Sequence, residues 1–155
     1  MEKAIVVLSG GLDSAVALAF AKDAGFSISA LHVNYGQQTE LKELSSFNAL
    51  CEHFGVSERF IADIDYLKVI GGSSLTDKAI PIEKGGVDSS RIPQTYVPFR
   101  NTHILSIAVS WGEVNGASKI FIGAVEEDSS GYPDCRELYF KTFNSLLSVG
   151  LPPKK

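Results

Sequence analysis

An apolar run that stops at two glycines constrains the fold of this chain more than any other feature. Residues 4–8 read Ala-Ile-Val-Val-Leu, and the turn Ser9-Gly10-Gly11-Leu12-Asp13-Ser14 follows them before a second apolar run at 15–18. A buried strand that turns through glycine into a helix is typical of a parallel α/β sheet. The first N–H groups of such a helix have no partner within it, so the turn is suited to an anion.

We expect residues 9–14, called the phosphate turn below, to cradle a phosphate. Gly10 and Gly11 can adopt positive φ, and the hydroxyls of Ser9 and Ser14 can donate to phosphate oxygens. Asp13 would repel the phosphate unless a cation lay between them, which suggests Mg²⁺ bound with a nucleotide. The alternative is an ordinary turn in which Ser or Asp caps the helix. The spacing is neither that of a P-loop nor that of the dinucleotide fingerprint.

The rest of the chain continues the pattern of strands followed by helices. We predict strands at 3–8, 27–33, 58–64 and 119–123, and helices at 13–24, 39–54, 101–115 and 137–149. The expected fold is an α/β domain over 1–150, with an open, mostly parallel, doubly wound sheet and helices on both faces. Between 66 and 97 the pattern breaks down, and we interpret this stretch as an active-site flap. The alternative is an excursion without a role.

Composition limits the classes of function. The 155 residues are 45% hydrophobic and carry a formal net charge of −4, which fits one globular domain and argues against direct binding of nucleic acid. No apolar stretch is long enough for a bilayer and no export segment is visible, so we expect a cytoplasmic protein. Cys51 and Cys135 are too few for a disulfide framework or a cysteine zinc site.

Two further segments lie near predicted strand or helix ends. Residues 32–37 end the second strand, where a doubly wound sheet forms its ligand crevice and backbone groups can contact an adenine edge. There His32 and Asn34 can equally be polar residues that end a strand. We expect Pro98 to hold the chain extended and Asn101 or Thr102 to cap the next helix, which places Arg100 at its N-terminus. A cation there suggests a clamp for a carboxylate or phosphate, or else a surface ion pair.

The segment 123–136 follows the fourth strand and concentrates charged groups. Four carboxylates beside one guanidinium are costly to bring together without a metal ion or a ligand that donates hydrogen bonds. The segment is also plausible as a bare turn, because Gly-Tyr-Pro-Asp is a good turn sequence. Cys135 is a poor candidate for a nucleophile, since no histidine lies near it in the sequence.

The phosphate turn resembles the loop of the N-type ATP pyrophosphatases, which have an adenine nucleotide α-hydrolase-like fold. With Val97-Pro98-Phe99-Arg100-Asn101 and the segment 128–136, the chain from 3 to 149 resembles the 7-cyano-7-deazaguanine synthase family. The resemblance implies that ATP activates 7-carboxy-7-deazaguanine, ammonia displaces AMP, and a second ATP-dependent dehydration gives the nitrile. It also implies a set of ATP-binding residues: Leu8, Ser9, Gly10, Gly11, Leu12, Asp13, Ser14, Ala15, Val16, Ala17, Leu18, Val33, Tyr35 and Gln37.

The same resemblance implies roles for other residues. Asp13, Arg100 and Asp128 are the expected catalytic residues, with Mg²⁺ on Asp13 or Asp128 and the substrate carboxylate on Arg100. We expect substrate contacts from Arg100 and from the turn after the fourth strand, where Asp134 would accept from N–H groups of the deazaguanine: Tyr132, Asp134, Cys135 and Arg136. The expected partners are the small-molecule substrate, ammonia and a second copy of the chain, without nucleic acid or membrane.

The chain departs from the family pattern at two places. Gln38 stands where the family more often has Arg. Beyond 151–155, which we interpret as a truncated tail, the family continues with another strand, helices and a four-cysteine zinc site, so we expect a fragment, a chain completed by a partner, or a loss of activity. Two other functions stay open: a different adenylating enzyme, such as a transfer-RNA thiolase or an amidotransferase synthetase module, and a non-catalytic nucleotide-binding domain.

Overall fold

The computed structural model describes residues 1–81, 92–124 and 131–152, which form a parallel sheet with helices around it. Each predicted strand and helix is present, and its ends differ from the prediction by one residue at most. The strands are β1 (Lys3–Val7), β2 (Ser27–Asn34), β3 (Glu58–Asp63) and β4 (Lys119–Ile122). The helices are α1 (Leu12–Asp23), α2 (Glu40–His53), α3 (Tyr66–Ile70), α4 (Arg100–Asn115) and α5 (Glu137–Gly150), with a 3₁₀ turn at Pro133–Cys135.

The order of the strands places a switch point beside β1. The order is β3-β2-β1-β4, and all pairs are parallel, with Val7 opposite Leu31 on one side and Ile122 on the other. The chain builds the sheet outward from β1 to β3 and then crosses back to add β4 on the opposite side of β1. The predicted doubly wound parallel sheet is confirmed, and its ligand crevice is expected at the carboxyl ends of β1 and β4.

Alternation along β1 divides the core into two layers. Ala4, Val6 and Leu8 pack with residues of α1 and α2, while Ile5 and Val7 pack with residues of α4 on the other face. Because both faces are covered, β1 is apolar at consecutive positions. In the described part of the chain, no helix has the length and apolar character needed to span a membrane.

The stretch 66–97, where the sequence pattern breaks down, contains a short helix and buried residues, and its role as an active-site flap stays a prediction. Residues 66–70 form α3, with Leu67 buried, and Ser73 and Ser74 are fully buried. Ser74 N donates to Gln94 O at 2.8 Å, and Ser73 Oγ donates to Thr95 O at 3.1 Å. The Ser73 hydroxyl and the backbone groups thus satisfy one another without a regular apolar period, whereas the buried Ser74 Oγ has no hydrogen-bond partner among the described residues. Residues 82–91 of the predicted flap lie outside the described residues.

Candidate active site

A cavity of about 410 Å³ lies at the carboxyl ends of β1 and β4, where the topology predicts a ligand crevice. It is lined by residues of the phosphate turn, of the end of β2, of the start of α4 and of the turn before α5. The predicted site residues that line it are Leu8, Ser9, Gly11, Asp13, Ser14, Val33, Tyr35, Arg100, Tyr132 and Cys135. Segments far apart in the sequence therefore meet at one cavity.

The body of α1 does not line this cavity, and the ATP contacts expected from its later residues stay a prediction. Leu12 and Val16 are exposed, with relative accessibilities of 79% and 59%, and Leu18 is fully buried in the core. Ala15 and Ala17 are also absent from the cavity lining. Successive residues of a helix point about 100° apart, so a helix that points its N-terminus at a site turns most of its side chains elsewhere.

The two glycines of the phosphate turn have different roles. Gly10 has φ of +88°, and a Cβ there would lie 2.7 Å from both Glu43 O and Ser46 Cβ of α2. Gly11 is the N-cap of α1 with φ of −82°, so the expectation of positive φ at Gly11 is wrong. Among the described residues no side chain caps α1, which leaves the N–H groups of its first turn available to an anion.

The serine hydroxyls brace the turn. Ser9 Oγ donates to Ser14 Oγ at 3.2 Å and accepts from Gly11 N at 3.3 Å, while Ser14 Oγ donates to Gly11 O at 2.9 Å. The Ser14 hydroxyl is therefore committed to the backbone of the turn. The Ser9 hydroxyl is bonded to another hydroxyl and can exchange that partner for a phosphate oxygen.

Gly123, directly after β4, was not among the predicted site residues. A Cβ at Gly123 would lie 2.5 Å from Asp13 C and 2.6 Å from both Asp13 O and Ser14 N. The exit of β4 thus rests on the backbone of the first turn of α1. A glycine at the carboxyl end of a strand beside the switch point was the available sequence signal.

Arg100 lies against Tyr35 on the cavity wall. Arg100 Nη1 donates to Tyr35 Oη at 3.1 Å, and the guanidinium carbon is 5.1 Å from the centroid of the Tyr35 ring. No carboxylate in 1–81, 92–124 or 131–152 forms an ion pair with Arg100. The alternative of a surface ion pair therefore finds no partner in those ranges, and the guanidinium keeps donors for an anionic ligand.

The N-terminus of α4 differs from the prediction. Pro98 and Phe99 form a turn, and Phe99 is the N-cap with φ of +60°, whereas Asn101 and Thr102 lie within the helix. Asn101 N donates to Asp134 Oδ2 at 2.9 Å. The capping carboxylate thus comes from the 3₁₀ turn, which sequence spacing alone does not indicate.

This bond changes the expectation for Asp134. The residue is only 3% exposed and does not line the cavity, so its carboxylate holds α4 where we expected it to bind substrate. Cys135 Sγ accepts from Asn101 Nδ2 at 3.3 Å and does line the cavity. Arg136 is exposed at the start of α5, away from the lining. Asp128 lies outside the described residues.

Gln37 supports the site through contacts with Tyr35 and Glu43. Glu43 is a cavity residue that was not predicted from the sequence. Gln37 is buried; its Oε1 accepts from Tyr35 N at 2.8 Å, and its Nε2 donates to Glu43 Oε2 at 3.1 Å. Thr39 Oγ1 donates to the other carboxylate oxygen of Glu43. Burial raises the pKa of Tyr35, Arg100 opposes this shift, and Glu43 adds to it. The phenol therefore keeps its proton at neutral pH.

The carboxylates at the cavity fit Mg²⁺ carried by a nucleotide better than a resident metal. The described ranges contain no group of three or more His, Cys, Asp or Glu side chains placed to hold a metal ion. Asp13 and Glu43 both line the cavity, and Mg²⁺ commonly takes one or two carboxylates together with phosphate oxygens and water. A four-cysteine zinc site does not fit, because the sequence has two cysteines.

Comparison with known proteins points to one family. The family described as queuosine biosynthesis protein QueC matches residues 3–155. A 7-cyano-7-deazaguanine synthase of Chlorobium chlorochromatii is 54% identical over 152 residues, covering 98% of this chain and 67% of that protein. The 7-cyano-7-deazaguanine synthase of Chloroherpeton thalassium is 52% identical over 151 residues, covering 97% of this chain and 67% of that protein.

Two solved structures share the fold at low sequence identity. A 4-thiouridine synthetase in complex with RNA and bound ATP has a TM-score of 0.59 at 18% identity, covering 94% of this chain and 34% of that one. An NH₃-dependent NAD synthetase from Campylobacter jejuni, in complex with nitrate, has a TM-score of 0.50 at 15% identity, covering 97% and 79%. Both support the predicted nucleotide-hydrolase-like α/β architecture.

Proposed function

The chain belongs to the queuosine biosynthesis protein QueC family, and on this premise we propose that it converts 7-carboxy-7-deazaguanine and ammonia to 7-cyano-7-deazaguanine at the expense of ATP. The observation that carries the proposal is one cavity that joins the uncapped N-terminus of α1 to Arg100. The N-terminus of α1 is suited to binding phosphates, and the Arg100 guanidinium is suited to binding a carboxylate. Residues 1–150 would act as one ATP-pyrophosphatase domain.

The phosphate turn would hold the β- and γ-phosphates of ATP. Their charge would be balanced by the N–H groups of the first turn of α1, while Val33 and Tyr35, which also line the cavity, are candidates to contact the adenosine. When bound, Mg²⁺ neutralises charge on the departing pyrophosphate, and Asp13 is the described carboxylate beside the turn that would hold it. Asp128 stays a second candidate for this role.

A carboxylate is a poor electrophile, and adenylation makes its carbon reactive toward ammonia. A carboxylate oxygen of the substrate attacks the α-phosphorus, and the bond to the β-phosphate oxygen breaks to release pyrophosphate. Ammonia then adds to the acyl carbon, which expels AMP and one proton and leaves the amide. In the second cycle the amide oxygen is adenylated and leaves with AMP, and loss of the two amide protons gives the nitrile. Arg100 would hold the substrate carboxylate in line for the first attack.

The other end of the substrate would lie near the turn before α5. Tyr132 and Cys135 line the cavity and are the candidates to contact the deazaguanine ring. The net charge of −4 supports a small-molecule substrate in preference to RNA. We further propose that the protein works in the cytoplasm as a homodimer and takes ammonia as the nitrogen donor.

The test is incubation of the chain with ATP, Mg²⁺, ammonium and 7-carboxy-7-deazaguanine, followed by mass analysis for nitrile and by pyrophosphate measurement. Asp13→Asn is expected to abolish pyrophosphate release, and Asp23→Asn at the far end of α1 is the matched control. ATP binding without turnover would favour a non-catalytic nucleotide-binding domain. Pyrophosphate release with another acceptor in place of the deazaguanine would favour a different adenylating enzyme.

A further inference from the structure

We propose that His32 is a positioning residue for the phosphate turn: its ring holds the carbonyl group of Leu8, the residue directly before Ser9. This role rests on the proposed function, since the position of the turn matters only if the turn binds phosphates. His32 is 1% exposed and lies outside the cavity lining, so it cannot touch the nucleotide itself.

The first observation is the contact with Leu8. His32 Nδ1 lies 2.9 Å from Leu8 O, and a carbonyl oxygen can only accept, so Nδ1 donates. Leu8 N donates to Leu31 O at 2.8 Å, so Leu8 is anchored on both sides at the end of β1. Because the peptide group is planar and trans, fixing the Leu8 carbonyl also fixes the N–H of Ser9 in the opposite direction.

The second observation is the chain of bonds on the other side of the ring. His32 Nε2 lies 3.1 Å from Asn34 Oδ1, and Asn34 Nδ2 donates to Asp63 Oδ1 at 2.8 Å. An ionised Asp63 can only accept, so it fixes the amide with Oδ1 toward the ring. The side of the ring that faces away from Leu8 is therefore linked to Asp63 on β3 through Asn34.

The third observation is that the turn and the ring share a support. The ring of Phe47 on α2 lies 5.1 Å from the His32 ring, and the backbone N of Phe47 would be 3.2 Å from a Cβ at Gly10. Of the charged groups on the neighbouring elements, Asp63 is joined to the ring through Asn34, whereas the Glu43 carboxylate is held by Gln37.

Calorimetric titration with inorganic pyrophosphate tests the role in the full chain. His32→Phe keeps an aromatic ring but removes the Nδ1 donor, and we expect about tenfold weaker binding from the loss of an anchoring hydrogen bond. Asp63→Asn keeps an acceptor at an exposed site and removes the charge, and we expect about threefold weaker binding. His53→Phe and Asp65→Asn make the same changes at exposed positions and should bind like the wild type.

Nitrogen-15 spectra of the histidine rings supply a readout that a merely structural histidine would not move. We expect Nδ1 of His32 to carry a proton in the wild type, as donation to Leu8 O requires. This measurement does not need His32→Phe to fold.

The outcomes separate the two proposals. An unprotonated Nδ1 of His32 in the wild type would overturn its role, and so would pyrophosphate affinities for His32→Phe and Asp63→Asn equal to those of their controls. Either result, with a wild type that binds pyrophosphate, would leave the proposed function standing. A wild type that binds neither ATP nor pyrophosphate would contradict both proposals.

Discussion

Arg100 lies over the ring of Tyr35 and donates a hydrogen bond to its phenol oxygen at 3.1 Å. Tyr35 thus holds the Arg100 guanidinium, which we assign to binding of the substrate carboxylate. The contact leaves the positive charge of Arg100 unneutralised. Tyr35 is itself fixed by Gln37, whose Oε1 accepts from its backbone N. The orientation of Arg100 therefore depends on a residue from another segment of the sheet.

Tyr35→Phe keeps the ring and removes the oxygen that accepts from Arg100. We expect a loss of about 5- to 10-fold in kcat/KM for the carboxylate substrate, the size of one hydrogen bond to a charged group. Burial raises the pKa of the Tyr35 phenol above its usual value. The neutral phenol therefore contributes stability at pH values below the usual pKa, and this stability is lost as pH rises through the higher pKa of the folded state. An unchanged kcat/KM in Tyr35→Phe would show that this bond does not position Arg100.

Gly123→Ala tests the contact between β4 and the first turn of α1. All three atoms nearest to the added Cβ are backbone atoms of Asp13 and Ser14, at 2.5 to 2.6 Å, so they cannot rotate away. We expect the free energy of unfolding to fall by about 1–3 kcal/mol and ATP affinity to fall with it. Gly150→Ala, where nothing lies within 4 Å, is the control and should unfold like the wild type.

The two glycines of the phosphate turn should respond differently to alanine. Gly10→Ala combines positive φ with a clash against α2, and we expect a loss of at least about 2 kcal/mol in the free energy of unfolding. In Gly11→Ala the added Cβ meets Ser9 Oγ at 3.5 Å with φ of −82°, and stability should change by less than about 0.5 kcal/mol. Equal losses in urea denaturation of the two variants would contradict this assignment.

Glu58 links stability to acid pH. A hydrogen bond from Ser29 Oγ and then the contact with Lys3 lower the pKa of Glu58 below its usual value. The stability that it contributes is present above the unfolded pKa and is lost as pH falls through the lower folded value. Below about pH 4.5, we expect the free energy of unfolding to fall less steeply with decreasing pH in Glu58→Gln than in the wild type.

The effect should stay below about 1 kcal/mol, because the Glu58 side chain is 43% exposed and its charge is screened. Glu52→Gln, at another exposed glutamate, is the control. The same acid dependence in Glu58→Gln and in the wild type would show that these contacts do not couple folding to protonation.

The sheet could be predicted from the sequence because its determinants are local. The continuous apolar run at residues 4–8 and the glycines after the helices set the strands and helices to within one residue. The sequence pattern also predicted that Asp13, Tyr35 and Arg100 would lie at one cavity, because parallel strands bring their carboxyl ends together.

The remaining parts of the site depend on contacts between distant segments. The cap that Asp134 provides to α4 and the support that Gln37 gives to Glu43 have no signature in sequence spacing. The buried serines at 73 and 74 were missed for a related reason, because hydrogen bonds replace the apolar period that marks a packed segment. Most residues of α1 do not line the cavity, because a helix presents only its first turn to a ligand at its end, and the ATP contacts expected along α1 stay a prediction.

A crystal structure of the chain with Mg²⁺ and an ATP analogue that cannot be cleaved between the α- and β-phosphates tests the central claim most directly. The account predicts the β- and γ-phosphates against the N–H groups of the first turn of α1, between Ser9 and Asp13. A triphosphate bound anywhere else on the molecule would contradict it.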